Sequence, residues 1–252
     1  MSSPALFSLA GRRALVTGST QGIGLTLALA LAEHGAEVVL NGRNQSKLDA
    51  VLAAQTATPS ALSGQAFDVT DPIAVKTAAT VIGPIDILIN NAGIHRRAPL
   101  IEMSKSEWDQ VLSTNLTSAF LVSQAFAPWM IERRAGKIIN ICSLMSDLAR
   151  PTTGNYAAAK GGLRMLTRAM CAEWAEHNIQ INGIAPGYIA TAMTAPLMND
   201  TKFDAWIKAR TPARRWGTPA DLTGAAVFFA GPASNFLNGQ ILAIDGGLTA
   251  VV

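Results

Sequence analysis

The sequence predicts an α/β fold in which a doubly wound, parallel sheet of about seven strands is the middle of three layers, αβα. Three observations carry this. Short β-branched or aliphatic runs recur between longer helical stretches. The runs are nearly continuous in apolar residues rather than alternating, which suits strands covered on both faces. The helical stretches between them supply the crossovers that parallel strands need.

In chain order, strands are expected at residues 14–17, 37–41, 64–69, 85–90, 137–142, 179–185 and 241–244. Helix starts carry their own signals, since each can satisfy the free amides of a first turn: Ser46 with Asp49, Asp71 before Pro72, Ser104 with Glu107, and Thr218-Pro219 with Asp221. Gly35 falls where the first helix must stop, a position that favours a left-handed glycine. The only long stretch between recognisable elements is 186–217, which holds Pro196, Pro212 and a short helix around 203–209. In a compact domain such a stretch is expected to be an ordered substrate lid.

Composition sets further bounds. The chain has 252 residues, 49% hydrophobic and 15% charged, which excludes a disordered or collagen-like protein and predicts one core-rich domain over 1–252. Lys plus Arg exceeds Asp plus Glu by 20 − 17 = 3, with no basic run, so no nucleic-acid partner is expected. Cys142 and Cys171 offer no framework of paired spacings and are expected to be buried thiols in a reducing compartment. No apolar run approaches the roughly 20 residues that cross a bilayer. Residues 1–13 put their positive charges after the apolar residues, the reverse of a secretory signal. A soluble, cytoplasmic protein without a membrane partner is expected.

The first strand runs into Thr17-Gly18-Ser19-Thr20-Gln21-Gly22-Ile23-Gly24 and then directly into an apolar helix. Glycines let backbone pass close to a pyrophosphate, and the amides and dipole of a helix start attract the anion. Three residues separate the first two glycines, where the usual Rossmann fingerprint has one. The second strand ends in Leu40-Asn41-Gly42-Arg43-Asn44, without the acidic residue that would bind the ribose of NAD. Arg43 is instead suited to a 2′-phosphate, which favours NADP, while Gln21 stands where a basic residue would have been a second phosphate partner.

Tyr156 and Lys160 are spaced to share one face of a helix. A free tyrosine, with pKa ~10, is a poor base near neutrality, and each unit of depression requires ~1.4 kcal/mol of preference for phenolate. A fixed ammonium nearby supplies such preference. Ser143 follows the fifth strand at its carboxyl end, where α/β folds bind ligands, so its hydroxyl can hold a substrate oxygen beside Tyr156.

Together and in this order, these residues resemble the short-chain dehydrogenase/reductase family over essentially the whole chain. The resemblance rests on the Thr17-Gly18 to Gly24 loop, Asp68-Val69, Asn90-Asn91-Ala92-Gly93, Asn115, Ser143, Tyr156 with Lys160, Pro186-Gly187-Tyr188-Ile189 with Thr191, and Asp245-Gly246-Gly247. It implies that Tyr156 is the general acid/base and Ser143 polarises the carbonyl. Lys160 would lower the phenol pKa and bind the nicotinamide ribose, and Asn115 would hold a relay water. The cofactor would be NADP, with NAD possible. It would lie against Gly18, Thr20, Gln21, Gly22, Ile23, Gly24 and Arg43 at one end. Asp68 and Val69 would meet its adenine, Asn91, Ala92 and Gly93 its middle, and Pro186, Gly187, Ile189 and Thr191 its nicotinamide. A homotetramer through the helices of Asn115 and Tyr156 is implied as well.

Within the family the chain looks most like the gluconate 5-dehydrogenase group, in Asn41-Gly42-Arg43-Asn44, residues 91–97, Leu148-Ala149-Arg150-Pro151 and residues 211–217. Asn155 departs from the proline expected there. Arg96, Arg97 and Arg150 follow the fourth and fifth strands on the catalytic side and are candidates for a sugar-acid carboxylate. The expected reaction interconverts a secondary alcohol and a ketone. A 3-oxoacyl-carrier-protein reductase is the alternative, and a dinucleotide sensor without chemistry is the alternative of another class. A metal site is not expected, because His34, His95 and His177 lack ligand spacing.

Overall fold

A computed structural model describes residues 3–55 and 61–252. After a short helix α1 (Ser3–Phe7), strand and helix alternate: β1 (Arg13–Val16), α2 (Gly22–Glu33), β2 (Glu37–Gly42), α3 (Gln45–Ala54), β3 (Leu62–Ala66), α4 (Pro72–Ile82) and β4 (Ile87–Asn90). There follow α5 (Lys105–Leu112), a π-helical turn Ser113–Thr117, α6 (Ser118–Glu132), β5 (Gly136–Ile141), α7 (Gly154–Trp174), β6 (Ile179–Pro186), α8 (Ala195–Met198), α9 (Thr201–Arg210), α10 (Thr223–Ala230) and β7 (Ile241–Ile244). The seven strands form one parallel sheet in the order β3-β2-β1-β4-β5-β6-β7. The order reverses between β1 and β4, and the crevice beyond the carboxyl ends at such a reversal is where a ligand fits.

The continuous apolar runs are explained by two cores. Val16, Leu40 and Ile89 pack on one face with Leu27, Leu31 and Phe229. Their neighbours Leu15, Val39 and Leu88 point to the other face, among Val75, Phe126 and Met130. Every residue of β4, β5 and β6 is buried. Among the described residues no helix is long and apolar enough to cross a membrane.

Asp71 caps α4 through Ile73 and Ala74, Ser104 and Glu107 form a reciprocal capping box, and Thr218 and Asp221 form another. Gly35 has the predicted positive φ, +99°. Three expectations need correction. The cap of α3 is Asn44, whose side chain accepts from the Lys47 amide at 2.8 Å, and Ser46 lies inside the first turn. The extended backbone after β2 ends at Asn44, so that residue takes the capping position. The third strand starts at Leu62 and ends at Ala66, because beyond Gln65 the chain is held by the Asn41 side chain, which donates to Phe67 O at 3.1 Å. Cys142 is buried, but Cys171 is only half-buried. The stretch 186–217 is ordered, built on α8 and α9 and packed through Ile207 and Trp216 against Leu144 and Leu248.

Candidate active site

A cleft of about 490 Å³ opens at the carboxyl ends of β1, β4, β5 and β6. Its floor is the turn from β1 into α2, where Gly18, Thr20, Gln21, Gly22, Ile23 and Gly24 all face the space. The turn is joined to the end of β4: Asn91 Nδ2 donates to Thr17 O at 2.9 Å and Gly18 O at 3.0 Å, and a Cβ on Gly18 would stand 2.9 Å from Ala92 Cα. Gly22 shares the positive φ of Gly18, +59° against +62°, but has nothing within 4 Å of a would-be Cβ. Open space there, beside a helix start whose amides the Gln21 side chain does not cap, is the cradle a pyrophosphate requires.

At the end of β2 the exposed Arg43 guanidinium lies 3.8 Å from the Asp68 carboxylate. Asp68 also accepts from the Thr70 amide and hydroxyl, at 2.8 and 2.7 Å. Burial raises its pKa, but these hydrogen bonds and Arg43 together leave it below the ordinary value. Val69 lines the same end of the cleft. Lys47 went unnoticed in the sequence, yet its Nζ donates to Gln21 Oε1. Its place in the first turn of α3, four residues after Arg43, was the available signal. Asn41 was also missed: its Oδ1 accepts from Gly18 N at 3.2 Å, which ties the phosphate turn to β2.

Asn91, Ala92 and Gly93 line the middle of the cleft, and Pro186, Gly187, Ile189 and Thr191 line its far side. Gly187 is required by close packing, because a Cβ would fall 2.7 Å from Asp245 Cα. Ile189 bridges to Gly217, closing the base of the 186–217 segment, and Ala192, Met193 and Thr194 add a wall that sequence reasoning did not include.

Ser143, Tyr156 and Lys160 meet in this space. Ser143 leaves β5 in extended conformation, and its Oγ accepts from Met145 N at 3.1 Å. The buried Lys160 donates to the last carbonyl of β5, Ile141 O, at 2.5 Å. Burial lowers the Lys160 ammonium to about 8, with a smaller opposing effect of Cys142. Burial also raises the Tyr156 phenol above its ordinary value, against the hydrogen bond from Ser143 that lowers it. Thus, in the protein alone, desolvation outweighs the lowering by the Ser143 hydrogen bond, and the depression expected from the lysine does not set the direction.

Asn115 is fully buried in the π-helical turn, and its amide is taken up by one residue: Oδ1 accepts from Ile94 N at 2.7 Å and Nδ2 donates to Ile94 O at 2.8 Å. The next residue, His95, stacks on Tyr156 with ring centroids 4.6 Å apart and planes 14° apart. The sequence marked His95 only as part of the 91–97 segment and as a residue without metal-ligand spacing, with no role of its own.

The three candidate arginines separate. Arg96 is exposed, bonds only its neighbour's carbonyl, His95 O, and acts electrostatically on Glu107. Arg97, exposed like Arg96, comes together with Arg150 near His95: partial burial and then Arg150 hold Arg97 below its ordinary value. The Arg150 guanidinium lies 4.8 Å over the Phe203 ring of α9. Neither has an ion-pair partner among the described residues. Two uncompensated guanidiniums near His95 suit an anionic group.

Comparison with known proteins agrees with the geometry. The family model described as Enoyl-(Acyl carrier protein) reductase matches residues 18–249. The chain is 54% identical to a gluconate 5-dehydrogenase of Gluconobacter oxydans, over 99% of each. It is 50% identical to a 5-keto-D-gluconate 5-reductase of Escherichia coli, over 98% of this chain and 99% of the relative. A gluconate 5-dehydrogenase from Burkholderia cenocepacia, solved in complex with NADP and tartrate, superposes with a TM-score of 0.96 at 50% identity, covering 99% of this chain and 100% of that one.

Proposed function

The chain belongs to the short-chain dehydrogenase/reductase family, and on that premise we propose that it is an NADP-dependent oxidoreductase interconverting gluconate and 5-ketogluconate. The observation that carries the reading is the convergence of Ser143, Tyr156 and Lys160 in one cleft with the free Arg97–Arg150 pair standing near its His95 side. The relatives at half identity or more are named for gluconate and 5-ketogluconate, and their near full-length match is narrower support than a family model whose description names an acyl-carrier substrate.

The residues present fit NADP. Gly18, Thr20, Gly22, Ile23 and Gly24 would hold its pyrophosphate, Arg43 and Lys47 its 2′-phosphate, and Asp68 and Val69 its adenine. Asn91, Ala92, Gly93, Pro186, Gly187, Ile189 and Thr191 would enclose the remainder. When bound, the nicotinamide supplies hydride exchange and, in its oxidised form, a positive charge near the phenol. Tyr156 Oη delivers or removes the proton on the substrate oxygen, Ser143 Oγ donates to that oxygen, and the Lys160 ammonium favours the phenolate. Arg97 and Arg150 take the carboxylate. Asn115 acts by pinning residue 94, with a relay water as its further role.

Residues 186–217 form the lid over this site within a single domain, supported by the Arg150–Phe203 contact across it. The free thiols suit a reducing cytoplasm. Exposed Phe120 on α6 and Met165 on α7 suit a homotetramer through those helices.

The test is a coupled pair of assays on the purified protein: oxidation of NADPH with 5-ketogluconate, and reduction of NADP with gluconate. Turnover in both supports the reading. Inertness toward both, with reduction of a 3-oxoacyl thioester, would replace it by the carrier-protein alternative.

A further inference from the structure

The imidazole of His95 lies face to face with the phenol of Tyr156, yet neither of its nitrogens makes a hydrogen bond among the described residues, and Nδ1 is fully buried. A phenylalanine would stack as well without leaving a polar atom unsatisfied, which is a standing cost to the fold. The ring is neutral, because burial, then the charges of Arg97 and Arg150, pull it down to about 4. A neutral imidazole has one donor and one acceptor nitrogen, so it can pair with a hydroxyl in either sense.

The ring is held from both sides in the chain. Ile94 is clamped by Asn115 through two hydrogen bonds. Arg96 is clamped by the buried Asn155, whose Nδ2 donates to Arg96 O at 3.0 Å. The same Asn155 side chain accepts from the Tyr156 amide at 2.7 Å. One side chain therefore ties the loop carrying His95 to the helix start carrying Tyr156, and the two rings are fixed relative to each other.

We propose that His95 is a specificity-determining residue that hydrogen-bonds a substrate hydroxyl on a carbon next to the one whose oxygen exchanges a proton with Tyr156. The inference rests on the sugar-acid reading of the site. The two guanidiniums nearby favour the carboxylate by charge, which leaves the uncharged ring for an uncharged partner, and a polyhydroxy acid offers hydroxyls on both carbons flanking its ketone.

The experiment compares wild type, His95→Phe and Asn155→Ala on 5-ketogluconate and its 4-deoxy and 6-deoxy analogues, with NADPH as reductant. Wild type should prefer the parent over one deoxy analogue by roughly tenfold or more in kcat/KM. His95→Phe keeps a ring on Tyr156, so turnover of that analogue and NADPH affinity should hold while the preference falls toward one. Asn155→Ala should erode the same preference by loosening the ring. A His95→Phe enzyme that keeps the full preference, or that loses equally on parent and analogue, overturns the proposal. A wild type inactive on 5-ketogluconate but active on other hydroxyketones refutes the sugar-acid reading instead. His95 is then judged by the same variants on the hydroxyketone that reacts and its deoxy counterpart.

Discussion

Lys160 Nζ lies 5.8 Å from the centroid of the Tyr156 ring while donating to the carbonyl that ends β5. The strand thus helps set the distance between cation and phenol, through its last carbonyl. Both groups lean toward their neutral forms before a ligand arrives, the lysine lowered and the phenol raised by burial.

Tyr156→Phe removes the proton carrier and leaves the rest of the cleft. We expect turnover to fall by ~10² to 10⁴ with NADPH binding retained, as read by steady-state kinetics beside fluorescence titration of the cofactor. Normal turnover would end the assignment of Tyr156.

Arg43→Ala should weaken NADP by roughly tenfold to a hundredfold while leaving NAD nearly unchanged, because a charge-assisted contact to the 2′-phosphate is worth about 1.5 to 3 kcal/mol. Lys47→Met should act in the same direction but less, since its Nζ is shared with Gln21. Equal losses for both cofactors would show that neither side chain reads the phosphate.

Arg97→Ala should raise KM for 5-ketogluconate by about tenfold or more and affect a neutral ketone little, on the usual worth of a hydrogen bond to a charged group. Arg96→Ala should do neither, since Arg96 is set apart from the pair. Matching KM values for all three proteins would remove the carboxylate site.

Lys137 on β5 donates to Ser234 Oγ at 3.2 Å and Asn235 Oδ1 at 2.9 Å with no ion-pair partner among the described residues, and burial, then Arg12, lowers it from 10.5 to about 8. Between those values the unfolded chain binds the proton and the folded one does not, so this residue's contribution to stability rises with pH. Lys137→Met should remove that slope: relative to the variant, wild type gains stability between pH 8 and 10.5. Denaturant midpoints that run parallel across the window would contradict the shift.

Much of this was legible in the sequence because it depends on spacing within single elements. The Thr17-Gly18 to Gly24 loop, the Asp71 and Ser104 caps and the Tyr156–Lys160 face are all local patterns. The residues that escaped notice gain meaning only across elements. Lys47 reaches Gln21 on another helix, Asn41 reaches Gly18 and Phe67, and His95 meets Tyr156 through a loop with no periodicity. Burial is also a property of the whole, so the direction of the Tyr156 shift was not readable from a lysine one turn away.

The π-helical turn that carries Asn115 spreads one extra residue between α5 and α6. The wide turn takes up that residue without passing on the full step of about 100° that a residue adds to an ordinary helix, so excising one position would close the turn and change which side chains of 113–117 face inward. The buried asparagine would then lose its two hydrogen bonds to Ile94. Gene shuffling or loop grafting across 113–117 should therefore tolerate exchange of residues but not a change in their count.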